Sequence, residues 1–236
     1  MSAVLFNERL VLFTRPTHRY KVTAPPAHPK IYHIVHLDRL PSILKNGGLS
    51  SDAYVRANGC GGSTIGMGDL KATRLTRQVP TQPGSHVGDY VPFYFCSRSI
   101  MLYVIYMANH PGLSYRGGQG PIVHLEADLR SVLDWADANG RPWAFSLGNA
   151  TAVFTEFRSS RAQLSDLRWD LIPQRTFTDP QIKEAKQSEL LVRDFFPWTL
   201  IERIGTHSDA VANQVAQQLV GSSHRPTVQR MRDWYY

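Results

Sequence analysis

The stretch DYVPFYFCSRSIMLYVIY, residues 89–106, changes character halfway along. Its first part, VPFYFC at 91–96, is a short unbroken apolar run and reads as a buried strand. The second part opens SRSIMLYVIYMANH, 97–110, which predicts a helix that is apolar almost all round, with Ser97 or Ser99 as its N-cap. Upstream, IYHIV at 31–35 mixes β-branched and aromatic residues and predicts a strand. Asp38 then offers an N-cap for RLPSILKN, a short helix stopped by Gly47 and Gly48. Downstream, PIVHLEAD at 121–128 alternates like a half-buried strand, with a helix expected just after it.

The later segments extend the same pattern. AVFTEFRSSRAQL and DLRWDLI, 152–172, suggest a helix and a short partner on a strongly cationic surface. ELLVRDFFP, 189–197, and LIERIGTH, 200–207, read as two antiparallel strands around a Pro197–Trp198 turn. In 209–220, Val211, Val215 and Leu219 recur at helical spacing, which predicts an amphipathic helix. Residues 59–88 and 136–150 are rich in turn-forming residues and lack apolar periodicity, so they read as long loops of the functional kind. Strands dominate. The expected fold is α+β, a single domain over 31–236 on a central mixed or antiparallel sheet with flanking helices, and residues 1–30 form a proline-rich extension.

At 236 residues, 42% of them hydrophobic, the chain is large enough for one real core. Its apolar runs fall far short of the roughly 20 residues a membrane helix needs. Glu8 and Arg9 interrupt the apolar start, against a secretory signal. Two cysteines, Cys60 and Cys96, suit a reducing, cytoplasmic setting, with Cys96 as a buried thiol. Lys and Arg number 26 against 19 Asp and Glu, a formal net charge of +7 that favours a polyanionic partner or a pyrophosphate-bearing cofactor.

The common motifs are missing. There is no GxxxxGK[ST], no GxGxxG between strand and helix, no CxxC and no GxSxG. His33 and His36 form an HxxH, but on a strand they would point to opposite faces, so no metal site is expected.

What carries chemistry is a set of three separated segments. IYHIV holds His33, PFYFCSRSI holds Tyr94, and QSELLV holds Glu189 at the start of an apolar strand. This order resembles ADP-ribosyltransferases of the His-Tyr-Glu type. The phrases YHIVHLDRLPSIL, DYVPFYFCSRSIMLYVIY, GGQGPIVHL, KQSELLVRDFFPW and RDWYY further resemble the DarT family of DNA ADP-ribosyltransferases, from about Ile31 to Tyr236. The resemblance implies NAD⁺ as donor, no metal, and a base of single-stranded DNA as acceptor. In the family's best-described members the acceptor is thymine N3, and in a second branch guanine. It also implies a DarG-type macrodomain antitoxin as partner and a toxin that blocks replication; the chain is expected to act as a monomer, away from membranes.

Carried onto this chain, the resemblance makes Glu189 the catalytic carboxylate and Arg74 an essential partner in the loop over the dinucleotide, with Arg77 a nearby competitor. His33 would bind the adenosine ribose, the backbone of Ile34 and Val35 the nicotinamide amide, and Tyr94 and Met101 the nicotinamide ring. Ser42 and Ser50 would also line the cofactor site. Residues 136–188 would be the substrate loop, with Asn149, Trp143, Arg158 and Arg161 toward the DNA, since stacking rings among guanidinium groups suit single strands. Three alternatives stay open: an ADP-ribosyltransferase acting on RNA or protein, a plain NAD⁺ glycohydrolase, and a nucleic-acid-binding domain without turnover.

Overall fold

The computed structural model describes residues 23–59 and 61–236, so Cys60 and most of the proline-rich extension lie outside the described residues. In chain order, β1 (Lys30–His36) leads through a 3-10 turn into α1 (Leu40–Lys45), followed by β2 (Gly48–Ser50), α2 (Asp52–Asn58) and α3 (Gly68–Thr76). Then come β3 (Tyr90–Tyr94), α4 (Ile100–Met107), β4 (Ile122–Asp128), α5 (Leu129–Ala138), β5 (Trp143–Ser146) and β6 (Phe157–Arg158). The chain closes with α6 (Pro180–Ala185), β7 (Glu189–Arg193), β8 (Phe195–Pro197), β9 (Arg203–Thr206), α7 (Asp209–Gln218) and β10 (Thr227–Arg230).

Eight strands form one sheet in the order β10-β9-β4-β1-β3-β7-β5-β6, while β2 and β8 pair separately. Only β9–β10 is parallel; the other pairs are antiparallel, so the expected α+β class with a mixed sheet holds. The sheet is unevenly zipped. β1 pairs with β4 over seven residues and β3 with β7 over five, but β1 meets β3 at the single bridge Tyr32–Tyr94. A side chain spans this seam: His33 Nδ1 lies 2.7 Å from the carbonyl of Pro92, so the imidazole N–H donates there. N–H and C=O of one strand residue point to the same side, so the missing N–H of Pro92 also faces the seam. A proline is tolerated inside a central strand because no ladder bond is lost.

The main core lies between the sheet and α1, α5 and α7, where Val215 and Leu219 are buried as their spacing predicts. A second cluster under α4 contains Ile34, Leu102, Ile105, Trp234 and Tyr235. Ser99, rather than Ser97, caps α4 by accepting from the Leu102 N–H. Cys96 is a buried free thiol, as expected. No helix among the described residues is long and apolar enough to cross a membrane.

Several expectations are overturned. The segment 59–88 is not all loop: 68–76 is the helix α3, whose few apolar residues make no stripe. Within 136–150 lies β5, missed because WAFS is buried at every position and shows no alternation. β4 is likewise buried on both faces rather than half-buried, being central in the sheet. AVFTEFRSSRAQL holds no α-helix, only β6 and a 3-10 run over Arg161–Asp166. The expected hairpin of 189–207 does not form. Asp194 adopts a left-handed conformation, φ 61°, that ends β7, and β7, β8 and β9 take different partners. Asp38 caps no α-helix; both its carboxylate oxygens accept from Ser63, at 2.8 and 2.7 Å, and tether the glycine-rich loop.

Candidate active site

A cavity of about 400 Å³ lies at the opened seam, roofed by residues 63–67 and α3 and walled by β1, β3, α4 and the start of β7. Glu189 and Tyr94 are directly opposed on β7 and β3, so their side chains share one face. Glu189 is buried, 5% exposed, and its backbone N–H donates to Ser146 Oγ at 3.1 Å. That hydroxyl in turn donates to the carbonyl of Gly148 at 2.7 Å, coupling the position of Glu189 to the loop that carries Asn149.

Arg74, on the last turn of α3 and 9% exposed, reaches Glu189 Oε2 through Nη1 at 2.9 Å. Its Nε faces Asp52 Oδ2 at 3.2 Å, and Lys71 Nζ lies 3.4 Å from the other oxygen of Asp52. The four charges alternate: Lys71, Asp52, Arg74, Glu189. Burial disfavours the Arg74 cation, but the Glu189 and Asp52 carboxylates outweigh it and hold its pKa above the ordinary value. Arg74 Nη2 is buried with no hydrogen-bond partner among the described residues. Arg77, the competitor, does not line the cavity; it donates to the carbonyl of Val153 at 3.0 Å.

Burial pushes His33 down to about 4, so the ring is neutral at pH 7. With Nδ1–H donating to Pro92, Nε2 remains as an acceptor. Burial, with the Glu189 charge adding to it, pushes the Tyr94 phenol well above its usual range, so it stays protonated.

His33, Ile34, Val35, Ser42, Ser50, Arg74, Tyr94, Met101, Asn149 and Glu189 all line this one cavity. The other residues expected to face DNA lie outside this cavity. Trp143 is 6% exposed in the core and spends its indole N–H on Asp137, so its ring is closed to a base. Arg158 pairs with Asp166 and Glu156, and Arg161 with Asp134 and Asp137; neither lines the cavity. Residues the sequence reading missed are Asp52, Lys71, Thr151, Gln187 and the Ser63–Met67 roof. Asp52 follows a helix-capping serine and carries no other mark in the sequence.

This donor set suits a dinucleotide. It offers cations for a pyrophosphate, an acceptor for a ribose hydroxyl, an aromatic wall, and a carboxylate beside a guanidinium with a free donor. Among the described residues no cluster of His, Cys, Asp and Glu could hold a metal ion.

Comparison with known proteins agrees. The chain is 36% identical over 219 residues to a DNA ADP-ribosyl transferase of Thermus sp. (strain 2.9), covering 92% of this chain and 100% of that relative. The solved structure of Thermus sp. 2.9 DarT in complex with ADP-ribosylated ssDNA superposes with TM-score 0.82 at 34% identity, covering 91% of this chain and 99% of that one. The same protein in complex with NAD⁺ gives 0.77 at 34% identity, with 90% and 100% covered. Residues 32–236 match the family described as ssDNA thymidine ADP-ribosyltransferase, DarT, and the chain belongs to that family.

Proposed function

We propose that the cavity binds NAD⁺ and that Glu189 and Arg74 transfer its ADP-ribose to a thymine of single-stranded DNA. The observation that carries this reading is the buried Glu189–Arg74 pair facing Tyr94, in a member of a thymidine ADP-ribosyltransferase family whose solved relatives hold NAD⁺ and ADP-ribosylated DNA.

His33 accepts a ribose hydroxyl at Nε2, the backbone of Ile34 and Val35 holds the nicotinamide amide, and Ser42 and Ser50 line the approach. Tyr94 stacks on the nicotinamide ring, with Met101 packed nearby. Glu189 accepts from a hydroxyl of the nicotinamide ribose and places negative charge where positive charge develops as the C1′–nitrogen bond breaks. The bond's electron pair leaves with nicotinamide. Thymine N3 attacks C1′ from the opposite face and its proton passes to Glu189. Arg74 is a poor proton acceptor, because a guanidinium stays charged. Its free Nη2 instead stabilises the base as N3 becomes anionic.

The DNA-facing wall is Asn149 and Thr151, continuing along the chain to Phe154, which is 95% exposed. An exposed ring three residues on from the cavity-lining Thr151 suits stacking on a neighbouring base. Residues 31–236 act as one catalytic domain, and the described end of the extension is pinned at Thr23, which bonds Ser165, Leu167 and Trp169. A free buried thiol at Cys96 suits action in the cytoplasm. The protein acts as a monomer, and a DarG-type macrodomain antitoxin removes the mark.

The test is incubation with labelled NAD⁺ and single-stranded DNA, duplex DNA, RNA or protein. Label appears on single-stranded DNA and is lost in Glu189→Ala, and mass spectrometry of the nucleoside places it on thymine. Label on protein or RNA alone, on guanine, or turnover that survives Glu189→Ala would overturn the assignment.

A further inference from the structure

The geometry points to Asp52 as the residue that holds Arg74 in place when Glu189 turns to its substrate. This rests on the role given to Arg74 above. As the site stands, the guanidinium is held from two sides, by Glu189 through Nη1 at 2.9 Å and by Asp52 at Nε at 3.2 Å. The two carboxylates are not equivalent. Glu189 must engage a ribose hydroxyl and then take the thymine proton, and once protonated it no longer pairs with the guanidinium as an anion. Asp52 lines the same cavity but is already shared with Lys71, and so remains with the cations. Its position is set from outside the site. Ser51 caps α2 through its hydroxyl, and the Ser51 N–H donates to the carbonyl of Asp194 at 2.9 Å.

Asp52 therefore acts through Arg74, as a positioning residue. It keeps Nη2, the one donor of Arg74 with neither a bond nor an ion pair, directed at the base, and it stops the guanidinium from collapsing onto the pyrophosphate. Two signatures separate this from a merely structural ion pair. Removing the Asp52 charge makes the site more positive, so NAD⁺, with its pyrophosphate, binds no more weakly. The transfer step, by contrast, loses a fixed donor, and misplacement of this kind costs roughly 10- to 100-fold in rate.

The experiment measures single-turnover transfer to single-stranded DNA, and KM for NAD⁺, in Asp52→Asn, Asp52→Glu, Arg74→Gln and the double variant Asp52→Asn/Arg74→Gln. Asp52→Asn is expected to slow transfer with an unchanged or lower KM for NAD⁺. Asp52→Glu restores most of the rate, and Asp52→Asn adds no further loss once Arg74 is Gln. If Asp52→Asn does not fold, Asp52→Ser takes its place in every arm. The inference is overturned by wild-type transfer in Asp52→Asn, by a loss confined to KM, or by the same fold-loss in the Arg74→Gln background. If Arg74→Gln itself transfers at the wild-type rate, the role of Arg74 falls and the Asp52 inference falls with it. An impaired Arg74→Gln beside an unaffected Asp52→Asn removes only the latter.

Discussion

The one arginine of α3, Arg74, and those of 141–175 look alike in the sequence and sit in opposite environments. Arg74 is buried between two carboxylates with one donor left free. Arg141, Arg158, Arg161, Arg168 and Arg175 lie on the outer surface, and each meets an aspartate or glutamate: Asp194, Glu156 and Asp166, Asp134 and Asp137, Asp170, and Asp233. An arginine-rich stretch is thus not a cationic face when the fold brings its acids alongside. What sets Arg74 apart is its place in the cavity wall, where it is buried and its guanidinium is shared by Glu189 and Asp52.

The contrast is broken most severely at Arg74. Arg74→Gln leaves the buried Glu189 carboxylate without its guanidinium partner, at a cost of about 3–5 kcal/mol. Denaturant melts at pH 7 would register the loss, and a midpoint equal to that of the wild type would mean that the pair contributes nothing to the fold.

His124 extends the comparison to a buried base with no acid at all. Burial pushes it down to about 4, with Nε2–H donating to the Ser97 carbonyl and Nδ1 unpartnered. The unfolded chain takes up this proton near pH 6.5 and the folded one near 4, so stability falls as pH drops between those values. His124→Gln should flatten the fall of Tm over that window.

Phe154→Ala probes the exposed rim. Losing one stacking platform costs about 1 kcal/mol, roughly a fivefold rise in KM for single-stranded DNA with KM for NAD⁺ unmoved. The smallest effect belongs to the outer arginines. Arg161→Gln should change stability by less than about 1 kcal/mol and leave DNA transfer unaltered, because its two ion pairs are exposed. A tenfold loss of DNA affinity in that variant would restore the basic loop as the binding face.

The sequence made legible what is local or periodic. β1 and β3 and the helices α4 and α7 follow from β-branched and apolar runs, helical spacing and a serine cap, whereas β4 and α1 were placed by an alternation and a cap that the fold does not keep. His33, Tyr94 and Glu189 followed from the company each keeps within its phrase. β5 was hidden because a strand buried on both faces has no period, and the break at Asp194 because aspartate rarely takes a left-handed conformation. Asp52 was hidden because its meaning is a contact with Arg74 and Lys71, and no spacing encodes it. The pairing of Arg161 with α5, 27 and 24 residues away, was lost for the same reason.

The strand order has a kinetic consequence. β7 comes late in the chain yet lies inside the sheet, between β3 and β5, and it brings Glu189 to Arg74 across 115 residues of sequence. Non-local pairings of this kind close slowly, because the entropy of a long loop is lost before any contact rewards it. α4 and α5 can form while the slot between β3 and β5 is still empty, and a chain at that stage has no carboxylate opposite Tyr94. Recovery of nicotinamide release after dilution from denaturant is therefore a clock for the insertion of one strand, running behind the return of helical signal.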